Sequence, residues 1–173
     1  MPKIVVDTII FNNFAASCFY NGIPMRIEDE IKQKAFRTEA QKAIINIMFT
    51  AGWLRNKVNG QLRKYDLTPE QFNVLRILNG QYPHCISLKN ITERMIDKNS
   101  NTSRIVDKLL DKGLVSRATD EKDRRGCSIG ITGTGLDLLK TIDAAWPKDE
   151  GFKTLSDDDL KKLNSLLDNL RDE

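Results

Sequence analysis

Cysteine is scarce in this sequence, and histidine is scarcer. The three cysteines, Cys18, Cys85 and Cys127, lie far apart with no Cys-x-x-Cys pair. Their odd number and wide spacing exclude a disulfide framework and a thiolate metal site, and point to a reducing, cytoplasmic compartment. Cys85 and Cys127 read as small core hydrophobes. The single histidine, His84, has no nucleophile–base pattern around it and reads as a loop residue. The sequence contains no phosphate-binding loop and no cluster of metal-ligating residues, so an enzyme is disfavoured and no cofactor, metal or catalytic residue is assigned. No apolar run is long enough to span a membrane.

Charge of either sign is nearly balanced, at +3 overall, but it is unevenly placed. Residues 26–66 are net +4, residues 84–130 net +3 and residues 149–173 net −4. A basic body with an acidic tail fits a surface that faces a polyanion. At 173 residues the chain is one domain, or one domain with appended helices. Residues 1–24 read as a non-native or disordered extension with Met25 as the start, or else as an arm packing on a partner subunit.

From Thr38 to Lys64 apolar residues recur at three- and four-residue spacing, including Ile44, Met48, Trp53 and Val58. This predicts a long amphipathic helix with a broad apolar stripe. In "DLTPEQFNVLRILNG", Thr68 is an N-cap, Pro69 the first helical residue and Gln71 the closing member of a capping box. "QYPHC" reads as a loop, and Ser87 caps a short helix. A polar break, "DKNSNTS", leads into a helix over about Asn101–Lys112, which Gly113 ends in a left-handed cap. Two strand-like runs, Leu114–Val115 onward and "CSIGI", flank "DEKDRRG" and predict a hairpin with a long charged loop. A helix to about Trp146 follows. The last helix is capped by Ser156, with Leu160, Leu163, Leu167 and Leu170 along one seam.

Two short helices joined by a tight turn and followed by a hairpin make a winged helix-turn-helix. The fold expected is mainly α with a small β-hairpin wing. A helix of this length fits the major groove of double-stranded DNA, and its first turn reaches the base edges. Here that turn carries Asn99, Ser100, Asn101, Thr102, Ser103 and Arg104, with Lys108 one turn on. Asn can pair with adenine, Arg with guanine, and the hydroxyls with phosphate or base edges. Arg104 could instead pair with Asp107 or Asp111 on its own helix. In the wing, Arg124 and Arg125 can enter a minor groove, where narrow segments attract arginine. Asp123 is placed to hold an arginine by a bidentate pair. Arg117 and Lys122 are candidate phosphate contacts.

The stretch Leu67–Gly135, with "SRIVDKLLDKGLVSR", then "DEKDRR", then "ITGTG", resembles the MarR family of bacterial transcriptional regulators. The family's Asp-x-Arg wing signature falls on Asp123 and Arg125. The resemblance implies a homodimeric DNA-binding regulator, expected to be a repressor relieved by a small-molecule effector. It implies dimerisation helices in residues 25–66 and 136–173, a DNA-binding lobe in residues 67–135 and a pseudo-palindromic operator. It also places Phe49 and Trp53 near the level of the family's effector pocket, although plain dimer packing accounts for them too. Gly130 and Gly133 depart from the family pattern, and the expectation is a weaker second wing strand. The competing reading is a winged-helix protein–protein module without specific DNA binding.

Overall fold

The computed structural model describes residues 26–119, 127–146 and 155–172. The expectations for residues 1–24 and for Lys122, Asp123, Arg124 and Arg125 lie outside these. The chain divides into two compact units at Thr50–Ala51.

The first unit holds a four-residue helix, α1 (Ile27–Glu30), and the first half of α2 (Glu39–Leu62). Helix α2 is the long helix expected over Thr38–Lys64, and α1 is a short helix that precedes it. Glu28 ties them, accepting from Lys42 Nζ at 2.6 Å. That hydrogen bond, with the ammonium's charge, holds the Glu28 carboxyl well below the usual range, at about 2.

The second unit begins in α2, which runs into a 3-10 turn at Arg63–Tyr65. Asp66 then takes a left-handed conformation, φ 53°, and Leu67 is buried. Helix α3 (Pro69–Asn79) starts as its residues dictate. The Thr68 hydroxyl accepts from Gln71 N, and the Gln71 amide accepts in return from Thr68 N. That exchange satisfies Gln71, one of two buried polar side chains among the described residues.

Strand β1 (Ile86–Ser87), helix α4 (Leu88–Arg94), helix α5 (Thr102–Asp111) and strands β2 (Val115–Thr119) and β3 (Cys127–Ile131) follow. Strands β2 and β3 pair antiparallel as the expected hairpin, and β1 adds a third strand on the far side of β3, in the order β1-β3-β2. Ile86 faces Ile129 across the sheet, and Val115 faces Ile131. The chain reverses after α5 at Gly113, φ +67°, a conformation that favours glycine. Helix α6 (Gly133–Ala145) and helix α7 (Asp157–Asn169) complete the unit.

The core lies between α3, α4, α5, α6 and the sheet, around Leu75, Leu78, Ile91, Leu109, Ile129 and Ile142. Two glycines are fixed by crowding. A Cβ on Gly130 would meet Cys85 Sγ at 2.7 Å, so any larger residue there would have to push the Cys85 side chain aside. Cys85 itself is exposed, which corrects its assignment to the core. A Cβ on Gly135 would lie 2.3 Å from the Leu114 carbonyl oxygen. Beside it, Thr132 donates its hydroxyl to Gly113 O at 2.8 Å and accepts from Gly135 N at 3.1 Å.

Candidate nucleic-acid interface

Helix α4 ends at Met95, which turns its side chain into the core, 2% exposed. The turn that follows is held by its own polar groups and by Asn73 of α3. Asn73 Oδ1 accepts from Ile96 N at 2.9 Å, and Asp97 Oδ1 accepts from Asn99 N at 3.0 Å. Lys98 donates its ammonium to the Glu93 carbonyl. Asn101 is the N-cap of α5, its side chain accepting from Arg104 N at 3.1 Å. This cap sets where the helix begins and leaves the amide nitrogen of Asn101 available to a ligand.

The first turn of α5 splits into two faces. Asn99, Asn101, Ser103, Arg104 and Lys108 are exposed, and Ser100 is half-buried. Thr102 is buried, 4% exposed, with its hydroxyl directed at the Ser100 carbonyl at 3.5 Å. It belongs to the lobe and is not a groove reader, which corrects its place in the expected reading set. The alternation follows from the helix period: Thr102, Val106 and Leu109 turn inward together. Arg104 makes no ion pair with Asp107 or Asp111 among the described residues.

Asp107 pairs instead with Arg117 of β2, a contact the sequence reading missed. A second unforeseen group sits behind the turn. Arg55 of α2 lies 3.7 Å from both Glu70, in the first turn of α3, and Asp97. On the other flank of α5, Lys112 donates to Asp66 at 2.8 Å, and this bond and charge hold the Asp66 carboxyl below its usual range. Around that pair is an open cleft of about 420 Å³, lined by Arg63, Asp66, Gln71, Lys108 and Asp111 among others. Neither Phe49 nor Trp53 lines it. Trp53 is 40% exposed with Lys57 over its ring at 5.2 Å.

Comparison with known proteins bears on this arrangement. The MarR family model matches residues 67–127. The regulator MhqR of Bacillus subtilis is 30% identical over 118 residues, 66% of this chain and 79% of that protein. MgrA of Staphylococcus aureus is 28% identical over 109 residues, 63% of this chain and 73% of that one. Among solved structures, a mutant of Escherichia coli MarR complexed with operator DNA superposes with a TM-score of 0.69 at 22% identity. That match covers 80% of this chain and 99% of that one. A MarR-like regulator from Bacillus cereus gives 0.68 at 19% identity, covering 76% and 95%. The structural likenesses establish a shared winged-helix fold.

Proposed function

Because this chain belongs to the MarR family of transcriptional regulators, we propose that it binds double-stranded DNA sequence-specifically through α5 and the charged wing. The observation that carries the reading is the first turn of α5. Asn99, Asn101, Ser103 and Arg104 stand exposed on the outside of a lobe whose apolar side chains are already covered. A helix presenting amide, hydroxyl and guanidinium groups from its N-terminal turn suits the major groove. Lys108 is positioned one turn on for a phosphate. The sequence of residues 120–126 adds Lys122, Asp123, Arg124 and Arg125 as the minor-groove element.

In this reading the protein is a homodimer in the cytoplasm and not an enzyme. Its two lobes meet a pseudo-palindrome with half-sites about 10 bp apart. Apolar side chains left outside on α2 and α7, such as Met48 at 67% and Leu166 at 58% exposed, supply surface for that association. The regulator acts as a repressor, and a small molecule that binds better to a DNA-incompetent lobe spacing would relieve it.

The test is selection of genomic fragments on the purified protein, followed by affinity measurement across a salt series. The expected result is a recurrent inverted repeat bound with an affinity that falls steeply with salt. In the same assay Arg125→Ala weakens binding by about 1–3 kcal/mol with the dimer intact. A chain that enriches no sequence and binds duplex weakly at every salt concentration is a protein–protein module instead.

A further inference from the structure

The outer face of α5 carries a carboxylate whose charge is taken up by another element. Arg117 Nη2 donates to Asp107 Oδ1 at 2.5 Å. Both side chains are about half exposed, at 53%, and so open a pair adds little to global stability. The lobe core closes without either residue. What the pair does is better judged from the elements it joins. Asp107 lies three and four residues beyond Arg104 and Ser103, so the three share one side of the helix. Arg117 is the middle residue of β2, facing Ile129 across the sheet. Beyond β2 the chain enters residues 120–126, the charged tip.

The covalent link between α5 and β2 is only the short reversal at Lys112–Leu114, closed by Gly113 N donating to Leu110 O at 2.8 Å and Leu114 N to Leu109 O at 3.0 Å. The ion pair is a second link on the exposed side, at the middle of the strand that leaves that reversal. It also cancels a negative charge that would otherwise stand between Arg104 and Lys108, where a phosphate has to approach.

We propose that Arg117 is a positioning residue for DNA binding. It holds Asp107, and so fixes the angle between the groove-reading helix and the strand that leads to the wing, and it masks the carboxylate from the duplex. This rests on the DNA-binding reading above and replaces the expectation that Arg117 itself clamps a phosphate.

The experiment uses the full chain and a labelled duplex recovered by the genomic selection. Affinity is measured across a salt series for the wild type, Arg117→Gln, Asp107→Asn and the swap Asp107→Arg with Arg117→Asp. Both single variants should lose roughly five- to twentyfold in specific affinity, the scale of one coupled contact. The slope of log affinity against log salt should stay at the wild-type value, because no phosphate contact has been removed. The swap should recover most of the loss, and melting temperatures should barely change. The proposal is overturned if Arg117→Gln lowers the salt slope by about one while Asp107→Asn binds as well as the wild type or better. That pattern makes Arg117 a phosphate ligand. Failure of the DNA-binding reading would look different, since the wild-type chain would then show no salt-dependent specific binding.

Discussion

Helices α3 and α7 begin in the same way and finish in opposite circumstances. Each opens with a capping box, Thr68 with Gln71 and Ser156 with Asp159. Each then places aliphatic residues three and four residues apart. On α3, Val74, Leu75 and Leu78 are buried to 1% exposure or less. On α7 no residue is buried, and Leu163, Leu166 and Leu170 are 39%, 58% and 59% exposed. The local code that starts a helix is therefore equally good in both. What separates them is a covering surface: α3 finds one inside its own lobe, and α7 does not. A 13-residue helix with an open apolar face gains little from propensity alone, which is why the second copy of the chain in the proposed dimer falls to α7 and α2.

The strongest way to break this comparison is on α7. Leu163→Asp with Leu167→Asp should leave the lobe folded but abolish the dimer, lowering operator affinity by about 10²–10⁴-fold as two-site binding is lost. Sedimentation and anisotropy on one sample check both halves. A dimer that survives would mean α7 is not the seam. The matching lesion in α3 acts on folding. Leu75→Ala should cost about 2–5 kcal/mol by denaturant unfolding, at every protein concentration.

The two caps sharpen the contrast. Thr68→Ala and Ser156→Ala each remove about 1 kcal/mol of helix stabilisation. The first should lower the unfolding midpoint regardless of concentration. The second should appear mainly as weaker dimerisation, read from the concentration dependence of melting. The smallest effect is on pH. Hydrogen bonds from the Ser156 hydroxyl and backbone hold the Asp159 carboxyl below its ordinary value of 3.8. Its stabilisation is therefore present above about that pH and fades as pH falls through the lower folded value. Asp159→Asn should flatten the acid limb of α7 helicity, and an unchanged limb would rule out the cap as its source.

Much of this was legible in the sequence because it is decided locally. The Thr68-Pro69-x-Gln71 start, the left-handed Gly113 and the Ser156 cap need only neighbouring residues. What was missed depends on distant partners. Strand β1 is two residues long and exists because Ile129 and Ser128 pair with it. Thr102 shares its composition with the exposed turn around it, and only the packing of α5 turns it inward. The exposed positions Asn99, Asn101, Ser103 and Arg104 were readable because polar residues collect where a helix starts at a surface. The pairing of Asp107 with Arg117 spans ten residues and a chain reversal, and no spacing rule announces it.

The junction at Thr132 and Gly135 has a mechanical result. One threonine grips the end of α5 through Gly113 and the start of α6 through Gly135, and the missing side chain at Gly135 lets α6 press directly on the Leu114 carbonyl. The two helices therefore share one joint, and a substitution at Thr132 would release the end of α5 and the start of α6 together.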